Sequence, residues 1–186
     1  MHISPIEKVT EDSADEALWR DFLREDDVSF LWLVERYREQ VGAYSWRMVR
    51  DLGMAEQIVV ETFARLYDLK PKLRGRFRLL LFEQVHTLCG IAKKRLADRH
   101  SEPTPAFGGG RPGSPEEAAV RGESRWRLEV ALSQIPDGHR ACLLLYYAHQ
   151  LNPSELATLL DMREHQVPGQ LSYARRLLRD YQRMGE

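Results

Sequence analysis

The sequence predicts an all-α chain of two helical domains joined by a flexible linker, the second domain carrying a helix-turn-helix. Three observations carry that expectation. Apolar residues recur at steps of three and four, no β-type alternation of useful length appears, and a Pro/Gly/Ser-rich interval, "SEPTPAFGGGRPGSPEE", separates two periodic stretches. The domains are placed at 14–100 and 116–186, with the linker at 101–115.

From position 14 to about 99 the chain reads as successive helices. Within 28–51 the stripe Phe30, Val34, Tyr37, Val41, Tyr44 and Met48 marks a helix lying on a core, and Leu52-Gly53 is expected to end it. A second stripe, Ala55, Val59, Thr62/Phe63 and Leu66, predicts a helix over 54–67, followed by the basic loop "DLKPKLRGR". A third, Leu81, Val85, Leu88 and Ala92, predicts a helix that begins at Phe77 and finishes in "KKRLADRH". Helices resume near Glu116 with "RWRLEVALSQI", then "DGHRACLLLYYAHQ", then a closing pair. The first of that pair has a well-formed start. Asn152 is a strong N-cap, Pro153 is pre-set for the first helical position, and Glu155 can return a bond to the N–H of the cap.

Composition excludes several classes. In 186 residues, 27 basic and 28 acidic side chains leave a net charge of −1, so no bulk field exists for coating nucleic acid, and any such contact must come from local patches. Cys89 and Cys142 lie far apart without metal-ligand spacing, which argues against a disulfide framework or a zinc site and suits a reducing cytoplasm. No stretch approaches the roughly 18 apolar residues of a membrane span, so neither membrane insertion nor export is expected. The histidines are scattered and suit surface or capping positions, while "YYAHQ" and the tryptophans, Trp32 and Trp46 among them, are expected to pack in the core. "GGGRPG" lacks the strand and the Lys-Ser/Thr of a phosphate loop, no catalytic constellation is visible, and no cofactor is expected.

Two stretches resemble one family. "LVERYREQVGAYSWRMVRDLGMAEQIVVETFARLY" is similar to the "ERY" helix and "AEDLVQETFLRLW" helix of the small, extracytoplasmic-function RNA polymerase sigma factors of the sigma-70 family. "ALSQIPDGHRACLLLYYAHQLNPSELATLLDMREHQVPGQLSYARRLL" is similar to that family's "ALxxLPxxxRxxLLLxxxxGLSxxEIAxxLGxSxGTVKSRLHRARxxL". They occur in the family's order on either side of the linker. The resemblance implies a two-domain initiation subunit without an active site, which joins core RNA polymerase and recognises promoter DNA. It also implies an inhibitory partner, an anti-sigma or other protein, that holds both domains.

Carried over residue by residue, the resemblance places polymerase docking on 55–63, with Glu56, Gln57 and Glu61 on the polar side and Val59 and Phe63 toward the core. Gln57 stands where the family usually has Asp, and Val60 where it has Gln. An ordinary solvated face is the alternative. The promoter-melting helix maps onto 77–95. Melting needs aromatic platforms for bases and cations for phosphates, yet Leu80 replaces a usual Trp, Glu83 and His86 usual Arg, and Thr87 a usual Asn. Phe77, Arg78 and Phe82 remain, with the closing cluster Lys93, Lys94 and Arg95. Cations in a helix's last turn are also favoured by its dipole without any ligand.

The recognition helix, "GTVKSRLHRAR" in the family, aligns with 165–175 here and has lost the Lys and the first Arg. Pro168 and Gly169 stand inside it, costing roughly 3 and 1 kcal/mol in a helix interior, so the helix is expected to start late. With His165 or Gln166 as cap, Pro168 falls in the first turn, where no intrahelical N–H is needed. Gln166 and Gln170 are then left to meet bases, and Arg175, Arg176 and Arg179 to meet phosphates. Either this helix enters the major groove with an altered preference, or promoter reading has been surrendered. The first outcome describes a divergent alternative sigma factor; the second, a sigma-like regulator or decoy that binds a partner without opening promoters.

Overall fold

The computed structural model describes residues 5–70, 75–99 and 115–184. Among these the chain is helical throughout, with eight α-helices and no strand. Nearly all of the expected linker, 101–115, lies outside the described residues.

The first helix, α1 (Pro5–Leu23), leads into α2 (Asp27–Val49). Asp26 caps α2, accepting from the Val28 N–H at 3.1 Å and from the Ser29 hydroxyl at 2.7 Å. Arg50, in the left-handed region at φ 59°, closes it by donating its N–H to the Trp46 carbonyl. The next helix, α3, runs from Leu52 to Asp68. Leu52 and Gly53 therefore open this helix rather than end the one before. The cause is Asp51, whose carboxylate accepts from the Met54 N–H at 2.7 Å and starts the new helix one residue after the old one has turned off.

The fourth helix, α4 (Phe77–Arg99), follows Gly75, whose φ of 127° is one that side-chain-bearing residues rarely adopt. The three sequence stripes meet between α2, α3 and α4. Tyr37, Val41, Tyr44, Leu66, Leu81 and Val85 are essentially inaccessible to solvent, with Phe22 and Trp19 of α1 closing the end beside Phe77. Asp15 of α1 is pinned there by Arg36 and by the Tyr37 hydroxyl at 2.5 Å.

The carboxy-terminal group consists of α5 (Pro115–Gln134), α6 (Asp137–Leu143), α7 (Pro153–Leu159) and α8 (Val167–Met184). Arg140 joins α5 to α6. Buried, it ion-pairs with Asp137 and donates to the carbonyls of Leu132 and Ser133, both at 3.3 Å, in the last turn of α5. A π-helical turn, Leu144–Ala148, continues α6, and its wider i→i+5 bond, His149 N–H to Leu144 carbonyl at 3.0 Å, carries His149 inward. The capping box of α7 forms as read: the Glu155 N–H donates to Asn152 Oδ1 and the Asn152 N–H to Glu155 Oε2, both at 2.9 Å. A short 3₁₀ turn, Glu164–Gln166, precedes α8, so Pro168 does sit in the first turn of its helix.

The two groups are in contact. α5 and α6 pack on α2, and α7 packs on α4. This seam decides which candidate residues face solvent.

Candidate functional site

On α3 the candidate docking residues Glu56, Gln57 and Glu61 are all exposed, while Phe63 is buried and Val59 half-buried. The alternation follows from helix geometry, since Ala55, Ile58, Thr62 and Leu66 take the inner face and leave the acidic positions outside. Glu61 pairs with Arg65 one turn on, at 2.5 Å. Val60, 71% exposed, makes the centre of this face apolar. Gln57 and Glu61 also line a shallow groove with Met54, Ile58, Ile91 and Arg95, so α3 and α4 bring a candidate docking pair beside a candidate DNA cation.

The candidate melting helix is arranged differently from the expectation. Phe77 and Phe82 are fully buried: Phe77 packs on Trp19 and Tyr37, and Phe82 lies 4.1 Å, ring centre to ring centre, from His149. Neither presents a ring to solvent. Arg78 donates to the Tyr37 hydroxyl at 3.0 and 3.2 Å and lies 3.8 Å from Asp15, leaving 15% of its side chain exposed. Burial holds the Tyr37 phenol far above its usual range. Lys93 is paired with Asp137 of α6, whereas Lys94 and Arg95 are exposed.

On α8, Val167, Leu171 and Ala174 form the buried edge, and Arg175, Arg176 and Arg179 are exposed. Arg176 lies over the ring of Tyr173 at 5.1 Å and Arg175 donates to the Ser172 hydroxyl at 3.1 Å, which extends both guanidinia along the helix surface. Gln166 turns its side-chain oxygen back to accept from the Arg163 N–H at 2.9 Å, and Gln170 is half-buried. The 3₁₀ turn thus draws on one of the two glutamines expected to meet bases.

The seam holds residues that sequence reasoning passed over. Arg47 of α2 grips Glu129 of α5 through Nε at 2.9 Å and Nη2 at 2.6 Å, and Arg50 donates to the Glu129 backbone carbonyl at 3.1 Å. Arg76, just before α4, pairs with Glu155 of α7 at 2.6 Å. His149, grouped with the surface or capping histidines yet part of the "YYAHQ" stretch expected in the core, is 4% exposed between Phe82 and Tyr44, and burial beside Arg47 and Arg78 pushes its pKa down to about 3. His86 is also drawn in, 2.7 Å from the Tyr44 hydroxyl, with its pKa lowered by burial. Pairing across the seam depends on chain elements far apart in sequence.

The aromatic expectations divide. Trp19 is buried and Trp46 partly so, but Trp32 is 62% exposed and Tyr147 53%, because each lies off its helix's buried stripe. Both cysteines are free and buried, and desolvation pushes Cys89 up to about 12 and Cys142 to about 11. No cluster of metal-ligating side chains occurs among the described residues, and none of their helices is long and apolar enough to cross a membrane.

No protein-family model matches the chain. In sequence it is 27% identical over 164 residues to a protein named "Probable RNA polymerase sigma factor RfaY" from Xanthomonas campestris pv. campestris, covering 80% of this chain but only 39% of that protein. In structure it superposes on CnrH, solved in complex with the cytosolic domain of CnrY, with a TM-score of 0.68 and 18% identity over 90% of this chain and 96% of that one. At that identity the second likeness concerns fold. The motifs, the all-α fold and the sequence match agree: this chain is similar in sequence to a protein named as an RNA polymerase sigma factor and similar in fold to CnrH, and its motifs resemble those of the extracytoplasmic-function sigma factors.

Proposed function

We propose that this chain is an alternative sigma factor of two modules, 14–100 and 116–186, which binds core RNA polymerase and directs it to a restricted set of promoters. Docking is assigned to the outer face of α3, where Glu56, Gln57 and Glu61 meet basic side chains of the polymerase. Phosphate contact is assigned to Lys94, Arg95 and, once free of its carboxylate, Lys93 on α4, and to Arg175, Arg176 and Arg179 on α8. Arg78 holds the α1–α2–α4 junction through Tyr37 and Asp15; a direct part in DNA binding requires that junction to rearrange. Gln170 and the backbone at the start of α8 are the groups left to face bases. Bond making and breaking belong to the polymerase.

The observation that supports this reading best is the division of charge: exposed carboxylates on α3 in the first motif, and exposed guanidinia on α8 in the second. The test adds the full chain to core polymerase from its own source and measures promoter-specific initiation. Failure both to bind core enzyme and to alter initiation ends the proposal.

A second reading, a sigma-like regulator that binds a protein partner without opening promoters, is favoured by the burial of Phe77 and Phe82 and by the scarcity of exposed aromatic rings on α4. CnrH, whose fold is similar, was solved with the cytosolic domain of CnrY, and for this chain a protein partner that inhibits it is proposed. Permanganate reactivity of unpaired thymines separates the two: robust footprints eliminate the decoy, and their absence on core-bound complexes favours it.

A further inference from the structure

His149 is carried by the carboxy-terminal group, at the end of the π-helical turn, and its ring enters between α2 and α4. Phe82 lies 4.1 Å away and Tyr44 5.5 Å, ring centre to ring centre. Only 4% of the residue is exposed, and both ring nitrogens are buried with no hydrogen-bond partner among the described residues. The Tyr44 hydroxyl is already engaged, 2.7 Å from His86 Nδ1. Arg47 of α2 and Arg78 of α4 act on the ring through space, and both are cations. The carboxylates of the neighbouring helices are committed elsewhere. Glu129 of α5 grips Arg47, Asp137 of α6 pairs with Lys93 and Arg140, Asp15 of α1 with Arg36 and Arg78, and Glu155 of α7 with Arg76. The Tyr44 phenol and the Cys89 thiol, both pushed up by burial, stay neutral.

A neutral imidazole fills this gap at the cost of two unmet ring nitrogens. An imidazolium would surrender its hydration beside two guanidinium groups and receive only ring faces in return. Once the two groups of helices part, the same ring stands in water and takes up a proton as an exposed histidine does. Proton uptake therefore belongs to the parted form, and acid draws the equilibrium toward it.

We infer that His149 is a proton-operated latch between the two groups of helices: the neutral ring closes the seam, and its protonation releases the carboxy-terminal group from α2 and α4. The closed form holds the ring at a pKa of about 3 against 6.5 in water. The latch is thus fully set above about pH 6.5 and weakens tenfold for each pH unit below it, or about 30-fold by pH 5. His86, also lowered by burial, works in the same direction. The latch is a property of the seam and stands whether or not the chain acts on promoters.

The test follows the distance between the groups as pH falls. Dyes at Gln40→Cys and Gln182→Cys, both exposed, are read on single molecules of the full chain at constant ionic strength, Cys89 and Cys142 being buried. Closed and parted molecules are then counted directly. A background carrying Arg76→Gln, which removes the pair with Glu155 at another point of the seam, loosens the contact and brings the ratio into a countable range. Between pH 7.5 and 5 the ratio of closed to parted molecules is expected to fall about 30-fold in that background, with far-UV circular dichroism unchanged. His149→Phe keeps a ring of similar size without a titrating nitrogen and should leave a change of less than about threefold. His149→Gln, which is also neutral at every pH, should do the same and guards against a packing fault peculiar to one substitution. His86→Gln should keep most of the response. A ratio that stays constant with pH in the loosened chain, one that falls as steeply in both His149 variants, or a loss of helicity in step with the distance overturns the inference.

Discussion

The core between α2, α3 and α4 and the seam between the two groups of helices are both well buried, but they are sealed by opposite means. In the core, Tyr37, Val41, Tyr44, Leu66, Leu81 and Val85 interlock, and the ionised side chains sit at its edge, as Asp15 and Arg78 do around the Tyr37 hydroxyl. Along the seam, Arg47, Glu129 and Arg140 sit within the contact, Lys93 reaches the exposed Asp137 at its rim, and a neutral histidine is trapped among rings. Apolar burial is indifferent to protons and added ions, whereas ion pairs and a buried imidazole respond to both. The difference places stability in one region and responsiveness in the other.

The sharpest way to break this comparison is to damage the core. Leu33→Ala, at a fully buried position, is expected to lower unfolding free energy by about 2–5 kcal/mol in denaturant titrations, with no dependence on salt. A salt-dependent loss would show that core and seam are one electrostatic unit.

Next in size is pH. The His149 pKa is depressed to about 3 where the free imidazole has 6.5, so the docked form holds the neutral ring. Its contribution is complete above about pH 6.5 and is lost progressively as pH falls toward 3, amounting to about 2 kcal/mol at pH 5. His86, lowered in the same direction, adds to it. Calorimetry between pH 7.5 and 5 should show the loss, and His149→Phe should remove most of it. An equally steep profile in that variant would assign the response elsewhere.

Two smaller effects bear on the carboxy-terminal pair. Asn152→Ala removes the acceptor for the Glu155 N–H and should cost about 1 kcal/mol, read as faster amide exchange in α7. Gly169→Ala places a methyl group where no atom lies within 4 Å, and in the first turns of α8 it should raise stability by about 0.5–1 kcal/mol. A loss instead would mean that the start of α8 requires the freedom of glycine.

Much of the architecture was legible beforehand because it is periodic. Each stripe named for α2, α3 and α4 lies on the buried side of its helix, and the capping box at Asn152 and the late start before Pro168 follow from backbone chemistry within a few residues. Exposure of Glu56, Gln57, Glu61, Arg175, Arg176 and Arg179 follows from the same periodicity. The differences have a common origin. Phe82, Arg78 and Lys93 lie along one side of α4, and His149 just past the π-helical turn, and each is engaged by a residue from a distant part of the chain.

The amino-acid sequence by itself determined that this chain is helical, where most of its helices begin and end, and which side of each is apolar, because these depend on the spacing of side chains along one helix and on caps a few bonds away. Only the tertiary structure decided which cations remain open to a partner. Arg47 and Glu129 lie 82 positions apart, and no local rule couples them. Their meeting depends on how two groups of helices share a boundary, where desolvation and ion pairing nearly balance and the outcome is set by the whole surface.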